Sequence, residues 1–182
     1  MTTQSQNEQT WALDPSHSEI QFKVKHLVIS TVTGYFRRFD AKVTTPGEGF
    51  ANAKIEFTAD IDSLDTNNEQ RDGHLKSDDF FGVENFPQLK FVSSSFTPLN
   101  GDAFQLVGDL TIKGVTREVV LQAELGGEAT DFYGNQKAGF EINGKINRKD
   151  FGLNWDAVTE AGGVVVSNEV KLHLNVQINK QA

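Results

Sequence analysis

The chain has 182 residues, a mass of 20.1 kDa, a net charge of −8 from 17 basic and 25 acidic residues, and no cysteine. That length suits one soluble domain burying roughly 70% of its unfolded surface, and the missing thiols exclude a disulfide framework, a cysteine nucleophile and thiolate-bound metal. The acidic balance argues against a general nucleic-acid or anionic-membrane surface, while 14 Phe, 2 Trp and 2 Tyr supply an unusual capacity to line something greasy.

Residues 1–10 are polar, charged only at Glu8, and contain neither a basic nor an apolar targeting region. They are expected to form a disordered tail ahead of one domain over residues 11–180. The chain as written reads as cytoplasmic, or as periplasmic if it is a processed form. No stretch approaches the ~18 consecutive apolar residues of a membrane-spanning helix.

From Trp11 onward, period-two alternation broken by Gly, Pro, Asn and Asp predicts antiparallel strands. Ile20, Phe22, Val24 and His26 make the first dry face. In Gly34–Ala41, Phe36 and Phe39 are three apart, so a bulge or bend is needed to turn both inward. Ile55, Phe57, Ala59 and Ile61 form the next face. Thr66–Glu69 fits a capping box for a short helix with Arg71 and Leu75 on one side. Leu89 and Phe91 open a strand that turns polar at Ser93 and Ser95. Four clean alternations follow, through Phe104–Ile112, Val119–Leu125, Ala138–Ile146 and Val170–Ile178.

An open sheet would leave two edges and an uncovered apolar face, which closure into a barrel or a two-sheet sandwich resolves; the expected fold is all-β, an antiparallel barrel of about eight strands with one or two short helices. Small residues at inward positions (Ala59, Ser93, Gly108, Ala123, Ala138, Gly144) permit two readings. They leave the tube's centre open for a small ligand, or they alternate with Phe to fill a solid core.

Chemistry-bearing residues are sparse. Asp14-Pro15-Ser16-His17-Ser18 holds an acid, hydroxyls and an imidazole, but adjacency in a Pro-initiated turn does not give a nucleophile–base geometry, and the segment reads as a self-satisfied turn. No Gly-x-Ser-x-Gly elbow, zinc-spaced His pair or calcium loop is present. His173 falls on a wet face, whereas His26 follows the dry face to a barrel mouth. Arg37-Arg38 and Arg148-Lys149 read as salt-bridged surface or as head-group contacts at a cavity entrance. Phe80, Phe81 and Phe86 read as a plug or lid at one end.

Several segments resemble the YceI-like family of lipid- and polyisoprenoid-binding proteins. They are Trp11–Phe22 with Val24-Lys25-His26, Arg71–Phe81 ending in Phe86-Pro87, Gly108–Arg117, and Ile146–Leu153. They are collinear over about residues 11–178. The resemblance implies an extended lipocalin-like barrel holding a long polyisoprenoid or similar amphiphile inside, often as a homodimer, and it favours an open interior. No catalytic residue, metal or cofactor is expected. The ligand wall is expected at Phe22, Val24, Phe57, Phe91, Leu110, Ile112, Phe140 and Ile142, with Phe36, Phe81 and Phe86 as further ligand contacts and His26 and one of the basic pairs near a mouth. The competing expectations are an enzyme acting on a lipid substrate with His26 as acid or base, and a solid-core interaction or stress module.

Overall fold

A computed structural model describes residues 8–27, 29–155 and 166–181. Its strands are β1 (Gln9–Leu13), β2 (Glu19–His26), β3 (Ser30–Phe36), β4 (Phe39–Thr45), β5 (Lys54–Asp60), β6 (Leu64–Asp65), β7 (Gln88–Pro98), β8 (Ala103–Ile112), β9 (Val115–Thr130), β10 (Gln136–Asn147) and β11 (Val166–Lys180), with one α-helix, α1 (Glu69–Lys76). All pairings are antiparallel, and the sheet closes where β1 meets β11.

The strand segments resolve into eight staves. β1 and β2 lie end to end along β11, through Leu13↔Ile178 and Glu19↔Asn175. On their other side β1 pairs with β4 and β2 with β3, so β3 and β4 are likewise one broken stave. β5 and β6 continue the pattern against β4 and β3. The remaining staves are β7 to β11 in up-and-down order. Closure of β1 on β11 removes the edges an open sheet would leave there, while residues 30–34 of β3 are paired on one side only, with β2.

Each break has a local cause. Between β1 and β2, Pro15–His17 forms a 3-10 turn in which the Asp14 carboxylate accepts from the Ser16 N–H. The expected bend falls at Arg37-Arg38. There the Arg37 N–H donates to the Ser63 carbonyl and the Asp60 N–H to the Arg38 carbonyl, so Phe36 is buried and Phe39 still packs on the core, stacked on Phe57.

Three expectations need correction. The strand begins at Gln9, with Gln9 opposite Thr45 and Thr10 opposite Thr44, so the tail does not extend to residue 10; residues 1–7 lie outside the described residues. The helix is capped by Asn68, whose side chain accepts from the Arg71 N–H, while Thr66 is buried outside the helix, where its hydroxyl donates to Asp72. The β7 strand does not turn polar. A bulge between Ser93 and Ser95 moves the alternation by one residue, so Phe96 points inward where strict period-two reading looks for Ser95. The Ser93 hydroxyl, left facing inward, accepts from the Ile55 N–H.

Candidate functional site

The barrel axis holds a cavity of about 210 Å³ whose surface exposes no polar atom. For scale, an apolar cavity of about 150 Å³ stays dry and holds a benzene-sized guest. Every stave contributes to its wall. β11 does so most regularly, since Val170, Leu172, Leu174, Val176 and Ile178 all face in, as the alternation predicts. Such a cavity excludes the solid-core version of the fold.

The space does not lie over the small residues. Glycines 34, 108 and 144 are each covered from a neighbouring stave. A Cβ on Gly34 would sit 2.2 Å from the Phe22 ring, one on Gly108 would meet the Phe91 ring at 2.4 Å, and one on Gly144 would meet Leu121 at 2.2 Å. These glycines let large side chains lie flat against the wall, and none of them lines the cavity. Ala59, Ala123 and Ala138 are buried without lining it. The central space thus depends on where the large side chains are laid, not on a row of missing ones.

The two ends differ. At the end where the chain starts, Trp11 packs on Phe50 (5.1 Å), Phe50 meets Phe140 edge-on (4.9 Å), and Phe96 stacks on Phe104 (4.5 Å) with both rings near Phe140. Offset and edge-on contacts of this kind are each worth about 0.5–1.5 kcal/mol beyond burial. At the other end lie α1, the β2–β3 and β8–β9 turns and the 3-10 turn Arg148–Phe151. Leu75, Phe80 and Phe81 roof this end of the cavity. Phe81 is half-buried and touches Phe36 edge-on at 6.0 Å, while His74, its imidazole 2.9 Å from the Asp79 carboxylate, packs edge-on against Trp155 and Phe80.

Arg148 was open to reading as ordinary salt-bridged surface; it is instead 3% exposed. Its guanidinium donates to the carbonyls of Leu153 (2.6 Å), Trp155 (2.7 Å), Ser167 (3.0 Å) and Val166 (3.3 Å), so its aliphatic stem is what faces the cavity. These charge-assisted bonds offset the cost of burying the cation and tie Leu153–Trp155 to the start of β11. The other basic pair is surface. Arg37 pairs with Asp65 and Arg38 with Asp60 and Asp62.

Of the expected wall residues, Phe22, Val24, Phe57, Phe91, Leu110, Ile112, Phe140 and Ile142 line the cavity, as do Phe36 and Phe81. His26 and Phe86 do not. His26 closes β2 at the mouth end, opposite Ser30 and Val166, and its side chain is not part of the wall although Val166 is. The Phe86 ring instead covers the β8–β9 turn, where it lies 2.8 Å from the position of a Gly114 Cβ; Gly114 (φ 75°) suits that turn because it has neither a Cβ nor a penalty for positive φ. Residues that alternation did not single out include Phe50 in the loop before β5, Phe96 beyond the bulge, and Leu153. Phe50 and Leu153 carry no periodic signal because they lie outside strands.

The Asp14–Ser18 segment is a turn with its own hydrogen bonds. The Asp14 carboxylate accepts from the Ser16 hydroxyl (2.7 Å) and lies 2.8 Å from His17 Nδ1; these partners, Ser16 first, hold its pKa at about 2. Gln177 on β11 also donates to it, which ties the turn to the closing stave. His173 lies on the outer face, within 2.5 Å of the Asn143 side chain. Among the described residues no three His, Asp or Glu gather as a metal site, and no helix is long and apolar enough to cross a membrane.

The model of the YceI-like domain matches residues 11–178. The chain belongs to the YceI-like family. As a member of that family it is a non-catalytic barrel of lipocalin-like type. A UPF0312 protein of Staphylococcus epidermidis is 38% identical to it over 91% of this chain and 95% of its own. The Campylobacter jejuni YceI protein superposes with a TM-score of 0.73 at 32% identity, over 87% of this chain and 90% of the other. A polyisoprenoid binding domain from Saccharophagus degradans has the same fold, with a TM-score of 0.66 at 16% identity over 92% and 97% of the two chains.

Proposed function

We propose that this YceI-like barrel is a carrier that holds the tail of a long-chain polyisoprenoid or similar amphiphile in its axial cavity. The observation that carries the proposal is the wall itself, a cavity of about 210 Å³ lined without an exposed polar atom, plugged with stacked rings at one end and roofed by half-buried Phe81 at the other. The kinship of fold with the Saccharophagus degradans domain, which is described as polyisoprenoid-binding, supports the choice of ligand class.

The energetics suit a carrier. Burying a five-carbon unit gains up to about 4 kcal/mol at ~0.8 kcal/mol per carbon, so a few units hold a tail firmly while the ordering of the chain limits the total. A wall without polar atoms selects by shape and length, which places discrimination of the head group at the mouth. The resemblance to the family extends the proposal to a homodimer, which light scattering of the purified chain tests. A His26-based lipid enzyme is not favoured, because His26 is off the cavity wall.

Native mass spectrometry of gently purified protein, followed by extraction from the host, tests the reading. A co-purifying prenyl or long-chain lipid is expected. Two tryptophans give a second readout, since Trp155 stands at the mouth and Trp11 in the plug. Added prenyl lipids should perturb Trp155 at every tail length, and Trp11 only when the tail reaches the plug. Persistent absence of bound lipid together with no response from either tryptophan would overturn the proposal.

A further inference from the structure

The outer face of the barrel is not uniformly acidic. Three lysines stand in one row across adjacent staves, Lys23 on β2 opposite Lys171 on β11, and Lys171 opposite Lys145 on β10. Like charges directly opposite on a sheet are destabilising, so chemistry other than folding has to account for the row. Compensation is slight. Lys145 has Glu169 at 3.9 Å, while Lys23 and Lys171 have no ion pair or side-chain hydrogen bond among the described residues. Lys25, also exposed, continues the row toward the mouth. On the same face Glu19, Glu141 and Glu124 lie in one register row nearer the plugged end, while Glu169 stands beside Lys145. The net charge of −8 conceals this local row of lysines.

Immediately beyond Lys25 is the β2–β3 hairpin tip, which carries the second feature. Ile29 is 84% exposed and Leu27 39% exposed, with Leu27 held at φ 53°, an uncommon conformation for a branched residue without Gly's freedom. The tip stands beside the cavity entrance. His26 at its base is paired with Val166, and Val166 lines the cavity.

We infer that this corner of the mouth end is a docking surface for an anionic phospholipid bilayer, with Ile29 entering the interface and the Lys23–Lys171–Lys145 row meeting the head groups. The inference rests on the carrier reading and supplies its loading step, since a tail leaving a bilayer at this corner enters the cavity without crossing water. Charge complementarity selects the occupant. Each lysine near an anionic membrane surface is worth about fivefold in partitioning, and an apolar tip adds an anchor that an acidic polypeptide would leave unused.

Co-sedimentation of the full chain with vesicles tests it, using phosphatidylcholine alone and phosphatidylcholine mixed with phosphatidylglycerol. Binding is expected only to the mixed vesicles and is expected to fall as salt rises. The pair Lys23→Gln and Lys171→Gln should weaken binding about 25-fold, from about fivefold for each lysine. Ile29→Ser should weaken it about tenfold, as removal of an apolar anchor requires. Phe132→Ser, at a fully exposed hairpin tip on the opposite end, should leave it unchanged.

Equal binding by the lysine variant, equal loss with Phe132→Ser, or no binding to mixed vesicles alongside capture by polyglutamate would each overturn the inference. Uptake of a prenyl lipid delivered without vesicles, read from Trp155, separates the two proposals. Uptake that persists in the lysine variant with vesicle binding lost supports docking and carriage together. Absent uptake in the parent chain is a failure of the carrier reading. Because the substituted side chains are outside the cavity, misfolding does not confound the result, and the lysine variant is expected to melt no lower than the parent.

Discussion

At the plugged end, Phe96 lies 4.5 Å from Phe104 in a stack and Phe140 joins both to Phe50. At the mouth, Phe81 meets Phe36 edge-on at 6.0 Å and is half-buried. The residue type is the same, but the consequences are opposite. Rings held by two or three other rings lose more contacts when disturbed than they gain from any ligand, so that end behaves as core. A ring held on one side by another ring, over a roof built from an eight-residue helix and turns, can swing at small cost. Stability is concentrated at one end of the tube and access at the other.

That contrast is open to direct attack. The largest effect is expected from Phe140→Ala, which removes the ring joining Phe50, Phe96 and Phe104 and should cost about 3–5 kcal/mol in denaturant unfolding. A loss below that of Phe81→Ala would refute the assignment of core and access. Next is Gly108→Ala, whose Cβ would meet the Phe91 ring at 2.4 Å and the Val92 carbonyl oxygen at 2.6 Å. Overpacking of this kind costs about 1–3 kcal/mol, and the displaced ring should shrink the cavity, which a fall in the amount of lipid bound would report.

A smaller effect is expected at the seam between β1 and β2. Asp14 has a pKa held at about 2, below the ordinary 3.8, so the stabilisation from its ionised form is fully present above pH 3.8 and is lost as the pH falls toward 2. Asp14→Ala should therefore lower stability by about 1–2 kcal/mol at neutral pH, with the gap to the parent closing across that acid window in urea titrations. The smallest change in stability, under about 1.5 kcal/mol, is expected for Phe81→Ala, whose signature should instead be kinetic. Stopped-flow transfer of bound lipid should show faster release, and an unchanged rate would remove Phe81 from the gate.

Much of this architecture was legible in the chain. Alternation on β11 and β10 identified the inward face that carries Leu172, Val176, Phe140 and Ile142, because a stave wet on one side and dry on the other has only one register that buries its apolar set. His26 stands near the mouth, as expected, but off the cavity wall, because alternation says which face a strand turns inward, not which side chains border the empty space. Phe96 was missed because one bulge reversed the parity of β7. Phe86 sat in the right motif, but its ring was claimed by Gly114. Arg148 carried no sign of burial, since an isolated cation in a turn looks the same whether its partners are water or the carbonyls of a distant strand.

The sequence by itself determined that this is a closed antiparallel all-β fold, barrel or sandwich, with a wet exterior and a phenylalanine-rich interior. Those properties follow from local periodicity and from the cost of leaving edges and apolar faces uncovered. Only the tertiary structure decided where the interior is empty. The small residues that suggested space are covered by Phe22, Phe91 and Leu121 laid across from neighbouring staves, and the cavity lies between the large side chains instead. Which ring covers which glycine, which end is plugged and which lysines share a row are all set by pairing between residues far apart in the chain.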